Sequence, residues 1–242
     1  MRFGDLTYLE IRDKAAAGWL AVIPTGCTEQ QGPHLPVDFD TWFVETLTLA
    51  AAEYAAREHD VHALVLPALP FGPTPEHRNF GSGYIDLPEA VHDAILMATL
   101  HSLATQGFRR MIIWRGCGGH RLEQVVADFN LTYHGRAQAF LPPLPFHDLW
   151  CRVGDATIPG GHADSFATSM AFYLRPGSVR TNLIANPHNG PVDWADPKLD
   201  FAAYSSSGVI GDPTHASAAL GEKLWQGAIK TVAQILAECT AA

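Results

Sequence analysis

The sequence predicts an α/β fold in which a mainly parallel sheet lies between two layers of helices. Short apolar runs that suit buried strands alternate along the chain with longer stretches of helical periodicity. Strands that alternate with helices form parallel sheets with right-handed crossovers, and helices cover both faces of such sheets. The 242 residues, 47% of them hydrophobic, suffice for one sizeable core, so we expect a single domain over residues 1–242.

The first four elements follow from periodicity and from helix-ending residues. Residues 6–16 have apolar side chains at helical spacing and stop before Gly18, and residues 19–24 form an apolar strand. Residues 41–58 carry apolar side chains every three or four positions, which predicts an amphipathic helix with Asp40 as a candidate N-cap. Residues 63–66 predict a second strand.

The middle of the chain repeats this alternation. A long loop over residues 67–83 leads to a helix at 88–106, which has an acidic first turn and ends before Gly107. Residues 110–114 predict the third strand, residues 121–134 a helix, and residues 138–141 a strand that runs into a proline-rich turn.

The last third is less regular. Residues 163–173 predict a helix closed by Pro176 and Gly177, and residues 216–237 predict a long amphipathic helix. Between them, residues 179–211 are rich in Asn, Pro, Gly and Ser, which indicates either an excursion over the surface or a subunit contact.

Composition excludes several classes of partner. The net charge of -9 and the absence of a basic run argue against nucleic acid and against an anionic membrane surface. The N-terminal segment carries acidic residues and is only moderately apolar, so it predicts neither a secretory signal nor a membrane span. Four cysteines without regular spacing indicate reduced thiols and a cytoplasmic protein.

The loop that follows the first strand is the main candidate for a functional site. Residues 22–40 lead from an apolar strand into a segment rich in Gly and Pro that carries several polar and acidic side chains: Glu29, Gln31, His34, Asp38 and Asp40. Ligands of parallel α/β sheets bind beyond the carboxyl ends of the strands, which is where these residues fall. The alternative is a solvated loop with two helix-capping aspartates.

A second candidate is the turn at residues 115–120, in which Cys117 stands between glycines. Glycine permits positive φ and close approach of a substrate, and a nearby helix N-terminus would lower the pKa of the thiol. We therefore expect Cys117 to be the most reactive of the four cysteines. The alternative is a small buried side chain that fills the turn.

Five segments carry a family resemblance: TEQQGPHLP from residue 28, FGPTPEH from 71, RGCGGH from 115, GGHADSFATS from 160 and SGVIGDPTHAS from 207. In this order they resemble the creatininase (creatinine amidohydrolase) family over nearly the whole chain. The resemblance implies a three-layer creatininase-like fold and a homo-oligomer. It also implies action on a carbon–nitrogen amide bond other than a peptide bond, by hydrolysis or ring closure, in a small substrate, cyclic ones included.

The resemblance also implies a divalent metal site, but this chain lacks several of its ligands. Family members hold a metal pair with the residues that match Glu29, Gln31, Asp40 and Cys117 and with a further carboxylate. Histidine is usual where this chain has Gln31 and Cys117, and the glutamate is missing at both Gly119 and Ala167. We therefore expect at most one zinc or manganese ion, on Glu29, Asp40 and Cys117, or none.

Histidines and small polar residues complete the predicted site. His162 matches a family histidine that resembles a proton shuttle, and imidazole titrates near neutrality, so we assign catalysis to Cys117, His162 and Glu29. Asp164 suits either a helix terminus or catalysis, while His34 and His77 are interpreted as structural hydrogen-bonding residues. We assign substrate binding to a further set: Gln31, Thr74, Gly118 and His120.

Three hypotheses on function remain open from the sequence. The first is a metal-independent amide-bond enzyme with Cys117 as nucleophile. The second is a hydrolase with one zinc or manganese ion, which lowers the pKa of its bound water. The third is a non-catalytic homologue that binds a small ligand in the same pocket.

Overall fold

A four-stranded parallel sheet organises the chain. The computed structural model describes residues 1–196 and 198–241, and within them the sheet has the order β2-β1-β3-β4. Its strands are β1 (Leu20–Thr25), β2 (Ala63–Val65), β3 (Arg110–Arg115) and β4 (Gln138–Phe140). All three pairings between neighbouring strands are parallel. The predicted parallel sheet is therefore confirmed.

Helices cover both faces of this sheet. Their bounds are α1 (Tyr8–Ala16), α2 (Phe39–Glu58), α3 (Glu89–Thr105), α4 (Glu123–Thr132), α5 (Phe146–Val153), α6 (Ser165–Leu174), α7 (Phe201–Tyr204) and α8 (Ala218–Ala241). Helices α2, α5, α6 and α8 share one apolar core with the sheet, and α1, α3 and α4 share the other. No helix among the described residues is both long and apolar enough to span a membrane.

Strand β1 shows why the core has two halves. Leu20 and Val22 face the α2 and α8 side, whereas Ala21 and Ile23 face the α3 and α4 side. All four are buried, because a strand with helices on both faces has no solvent side. The continuous apolar run in the sequence therefore reports burial on both faces of the sheet.

Helix α2 corrects one expectation from the sequence. It begins at Phe39, and Asp38 rather than Asp40 occupies the N-cap position, so the predicted capping role of Asp40 is wrong. Asp38 makes no capping hydrogen bond and instead pairs with Arg175 at 2.9 Å. The Asp40 carboxyl group lies in the first turn of α2, where it is available for other contacts.

Several short helical elements were not predicted, among them α5 and a 3-10 helix near the site. Helix α5 follows Pro142, Pro143 and Pro145, which the sequence interpretation assigned to a turn, although proline is well tolerated at the start of a helix. A 3-10 helix at Pro75–Phe80 interrupts the predicted loop over residues 67–83. Both elements contribute side chains to the cavity described below.

The segment over residues 179–211 is mostly irregular, as predicted, but it also pairs with the loop before α6. His162 and Ile210 exchange two backbone hydrogen bonds of 2.9 Å. Trp194 and Leu199 from the segment, and Phe201 at the start of α7, line the same cavity as Glu29. The segment therefore forms part of the cavity wall.

Buried His34 leads to a prediction about acid stability. Its side chain is 0% exposed and its Nε2 atom lies 2.8 Å from Thr168 Oγ1, which links the loop after β1 to α6. Burial lowers the pKa of His34 from 6.5 to about 4. As the pH falls, His34 becomes protonated in the unfolded chain before it does in the folded chain. Its contribution to the stability of the fold is therefore complete above pH 6.5 and decreases as the pH falls towards 4.

At pH 5 we expect this one group to cost about 2 kcal/mol of the free energy of unfolding relative to pH 7. Urea unfolding at the two pH values measures the difference, which should shrink by that amount in His34→Gln. His134→Gln, which changes an exposed histidine, is the control and should keep the wild-type difference. An unchanged difference in His34→Gln would contradict the assignment.

Candidate active site

The candidate site forms where β1 and β3 end side by side. Thr25 and Arg115 are paired at the ends of these strands, and the Gly116 amide donates a hydrogen bond of 2.6 Å to the Thr25 carbonyl. A Cβ atom on Gly116 would lie 2.7 Å from that carbonyl oxygen, so glycine is needed for the close approach. The loops that carry Glu29 and Cys117 are therefore held together.

Glu29 and Asp40 share one amide donor. Gln31 Nε2 lies 2.9 Å from Asp40 Oδ2 and 3.3 Å from Glu29 Oε1, and the Gln31 and Glu29 side chains are almost completely buried. The Cys27 thiol donates to Asp40 Oδ2 at 3.1 Å. Gln31 thus connects the two carboxyl groups at the position where family members were expected to have a histidine ligand.

Cys117 lies beside Glu29, but not in the environment that the sequence suggested. Its Sγ atom is 3.9 Å from Glu29 Oε2. A hydrogen bond with Cys27 lowers the pKa of the Cys117 thiol, but burial and the carboxyl groups of Glu29 and Asp40 outweigh it and raise the value to about 11. The expected lowering of this pKa is therefore wrong.

The geometry of the turn explains the difference. The helix that follows, α4, begins only at Glu123, six positions after Cys117, so its N-terminus is not adjacent to the thiol. None of the three glycines at residues 116, 118 and 119 is among the glycines with positive φ. Cys151 is the exposed cysteine, whereas Cys27, Cys117 and Cys239 are buried. A thiol reagent should therefore label Cys151 faster than Cys117, whereas the sequence led us to expect Cys117 to be the most reactive cysteine.

His162 has one ring nitrogen committed and the other facing Glu29. Its Nε2 atom lies 2.6 Å from the carbonyl oxygen of Gln30, so Nε2 carries the proton. The Nδ1 atom, 3.5 Å from Glu29 Oε1, therefore holds a lone pair in the neutral ring. Burial, followed by the neighbouring His77, lowers the pKa of His162 to about 3, which keeps the ring neutral.

His77 is oriented in the opposite sense. Its Nδ1 atom lies 3.1 Å from the Gln30 amide nitrogen, whose orientation is fixed because Gln30 Oε1 accepts from Gly32 N at 2.9 Å. His77 Nδ1 is therefore the acceptor and Nε2 carries the proton. That Nε2 atom lies 3.4 Å from Glu29 Oε2 and 3.8 Å from Glu76 Oε1 but makes no hydrogen bond to either. His77 thus lies beside two carboxyl groups of the site, a position that the sequence interpretation did not anticipate.

No fixed positive charge among the described residues accompanies the carboxyl and thiol groups of the site. Burial raises the pKa of Glu29 to about 7, and burial together with Glu29 raises the pKa of Asp40 well above its usual range. Burial also raises the pKa of the Cys27 thiol. Among the described residues, no Lys or Arg lines the cavity. A bound cation would relieve this imbalance.

The site opens into a cavity of about 630 Å³. Glu29, Gln31, Asp40, Cys117, Gly118 and His162 all line it, so the structure brings together six of the residues assigned from the sequence. Thr74 and His120 are buried but are not among the lining residues. Their predicted role in substrate binding therefore has no support from the geometry.

Several residues of the site were missed in the sequence. Cys27 contacts Asp40, and Glu76 lines the cavity with its Oε1 atom 3.1 Å from where a side chain on Gly119 would begin. Glu76 therefore occupies space into which the missing glutamate would project. By contrast, Asp164 caps α6 by accepting hydrogen bonds from the backbone amides of Phe166 and Ala167. Of the two roles that the sequence left open for Asp164, the structure therefore supports the one at the helix terminus.

The donor set fits a divalent metal. The ligand atoms of Cys27, Glu29 and Asp40 lie within 4.8 Å of one another, as do those of Glu29, Glu76 and Cys117. Carboxylate oxygen and thiolate sulfur together suit zinc. We refer to Cys27, Glu29, Asp40 and Cys117 as the acid–thiol cluster. Cys27 is the ligand candidate that the sequence interpretation lacked.

Comparison with known proteins identifies the family. Residues 4–236 match the family model described as creatinine amidohydrolase. The chain belongs to the creatininase family. The mycofactocin precursor peptide peptidase of Mycobacterium tuberculosis is 33% identical over 216 residues, covering 84% of this chain and 79% of the relative. The creatinine amidohydrolase of Pseudomonas putida is 24% identical, covering 97% of this chain and 95% of the relative.

Solved creatininases have the same fold as this family member. A manganese creatininase superposes with a TM-score of 0.79 at 21% identity, covering 98% of this chain and 97% of that chain. A mutant creatininase of the Zn-Zn type gives 0.82 at 20% identity with the same coverage. These structures confirm the predicted three-layer creatininase-like fold. They also show zinc and manganese as metals of creatininases.

Proposed function

We propose that this protein hydrolyses a carbon–nitrogen amide bond with the help of one divalent metal ion, zinc or manganese, held by the acid–thiol cluster. The observation that carries the proposal is that Glu29, Asp40 and Cys117 line one cavity, with the Cys27 thiol close to both carboxyl groups, while no Lys or Arg among the described residues lines it. Buried charges that lack a partner are costly, and metal binding removes that cost.

The same observation argues against Cys117 as a metal-independent nucleophile. Nucleophilic attack requires a thiolate, and Glu29, Asp40 and Glu76 all oppose negative charge on this sulfur. The histidine that would take its proton, His162, directs its free nitrogen towards Glu29. Cys117 is therefore better suited to binding a metal than to attacking a carbonyl.

A single ion suits the site better than a pair. The Gln31 amide occupies the position of a family histidine and donates hydrogen bonds to Glu29 and Asp40. An amide nitrogen of this kind has no lone pair for a metal, and Ala167 and Gly119 offer no ligand either. Gln31 instead holds the two carboxylates in place.

Glu29 and His162 are placed to move protons. A bound zinc or manganese ion supplies a Lewis acid and lowers the pKa of a coordinated water towards neutrality. Glu29 lies 3.5 Å from His162 Nδ1, so these two groups form a path for a proton towards the leaving nitrogen. His162 keeps this orientation because the Gln30 carbonyl holds its Nε2 atom.

The cavity wall favours a substrate with an apolar group. Aromatic and aliphatic side chains dominate the lining away from the cluster: Leu144, Phe146, Trp150, Phe166, Trp194 and Phe201. A volume of about 630 Å³ is much more than a small ring such as creatinine fills, and it lies within the range of about 300–1,000 Å³ for larger ligands. Peptide bonds next to an apolar residue are therefore the first substrate class, and small cyclic amides are the second.

A substrate panel tests this proposal. Purified protein is incubated with zinc or manganese and with short peptides that end in Tyr, Leu or Asp, and with creatinine as the cyclic amide. Product analysis by mass spectrometry should show cleavage of the peptides that end in Tyr and Leu in preference to the one that ends in Asp. Absence of hydrolysis across the panel with metal bound would support the non-catalytic alternative.

A further inference from the structure

A buried group of two thiols and one imidazole adjoins the cavity through Cys117. The ligand atoms of Cys27, Cys117 and His120 are within 4.8 Å of one another, and all three residues are buried. Cys27 follows β1, whereas Cys117 and His120 follow β3, so the group joins the two central strand ends. Ligand atoms of one tetrahedral zinc ion lie within about 4 Å of each other, so small side-chain rotations would suffice.

The state of His120 points to a ligand. Its side chain is buried with 1% exposure, and neither Nδ1 nor Nε2 has a hydrogen-bond partner. A buried imidazole without partners is costly, and most such groups in proteins are satisfied. The ring packs closely against the Gly72 backbone, since a Cβ atom at that glycine would lie only 2.3 Å from its Nε2 atom. A metal on one ring nitrogen would satisfy the side chain.

We infer that Cys27, Cys117 and His120 are the principal ligands of a zinc ion, with Asp40 completing the set from the cavity side. Asp40 Oδ2 lies 3.1 Å from Cys27 Sγ, so the carboxylate adjoins one of the two thiols. This inference rests on the proposed function, because it assigns ligands to the ion proposed there. His120 then replaces the imidazole that family members carry three residues earlier, at the position of Cys117.

The ligand set has two consequences. Thiolate ligands select zinc over manganese, since soft sulfur donors suit zinc and hard oxygen donors suit manganese. In addition, His120 takes the place of Glu29 as the fourth ligand, so Glu29 is available as a base. It lies on the cavity side, 3.9 Å from Cys117 Sγ and 3.5 Å from His162 Nδ1, where a base would contact the substrate.

Spectroscopy of the wild-type protein tests the ligands without reference to activity. Zinc-edge X-ray absorption of the zinc-loaded full chain should show two sulfur scatterers and at least one imidazole. Cobalt-loaded protein should show the near-ultraviolet charge-transfer band of thiolate-bound cobalt. A zinc environment of oxygen alone, or a cobalt spectrum without this band, would overturn the inference.

A matched pair of histidine variants isolates His120. His120→Asn should weaken zinc binding by at least about 100-fold, since even outer-shell changes cost about 10–100-fold. His92→Asn is the control: His92 is also buried without hydrogen-bond partners and its ring lies 4.8 Å from that of His120, but it is outside the group. Zinc titration against a chromophoric chelator gives both affinities. Equal losses, or none, would overturn the role of His120.

The spectroscopic experiments and the substrate panel test the zinc ligands and the proposed function separately. Amide hydrolysis that depends on metal, together with a zinc environment that contains sulfur and oxygen but no imidazole, would retain the proposed function and reject this ligand set. Zinc bound by two sulfurs and an imidazole, together with no hydrolysis on the substrate panel, would retain the site and reject the proposed function.

Discussion

Replacing Asp40 with asparagine is expected to lower kcat/KM for amide hydrolysis by about 1,000-fold, which corresponds to about 4 kcal/mol of transition-state stabilisation. The asparagine keeps the shape of the side chain but loses the negative charge beside Cys27 and Gln31. The variant should therefore bind the divalent ion more weakly, and elemental analysis should show substoichiometric metal. Activity and metal content should fall together.

Asp38→Asn is the matched control, two residues away in the same sequence. Asp38 pairs on the surface with Arg175 at 2.9 Å, and surface ion pairs contribute about 1 kcal/mol or less. This variant should keep its metal and its activity. The metal-free Asp40→Asn protein should also unfold at a temperature no lower than the metal-free wild type, because the substitution relieves repulsion with Glu29. Loss of activity with full metal content would contradict the role of Asp40.

The second large effect is expected at Cys117. Cys117→Ala should lose most of its activity at low zinc concentration, because one thiolate ligand is missing beside Glu29. Raising the zinc concentration should restore part of the activity, since a ligand contributes to affinity whereas a nucleophile is needed in every turnover. Steady-state rates across a zinc titration measure this recovery.

Cys151→Ala is the control for thiol replacement. Cys151 also lines the cavity but is exposed, and no close metal-ligand group among the described residues includes it. Its variant should follow the wild-type zinc dependence. If Cys117→Ala stays inactive at saturating zinc while its metal content is normal, Cys117 acts as the nucleophile and the one-metal mechanism is wrong.

Much of the fold could be predicted from the sequence, because its signals are local. The apolar runs around Val22 and Ile112 indicate strands buried on both faces, and the loops after them indicate the functional edge of the sheet. The positions of Glu29 and Asp40 follow from the same rule. Helix α5 was missed because its local signal, a series of prolines, suits a turn as well as a helix start.

The electrostatics of the site could not be predicted in this way. The pKa of Cys117 depends on carboxyl groups that are distant in the sequence, Glu29 and Glu76, and on burial, which no local pattern reports. The same holds for His77, whose orientation is fixed by Gln30 from another loop. Cys27 carried only one signal, its position directly after the glycine that follows β1, and this signal does not distinguish a ligand from a core residue.

The metal content of active protein tests the central claim most directly. Plasma mass spectrometry on the purified wild type should find one zinc ion per chain. Removal with a chelator should abolish amide hydrolysis, and one equivalent of zinc should restore it. Undiminished hydrolysis by metal-free protein would contradict the account, and two ions per chain would contradict its single-metal site.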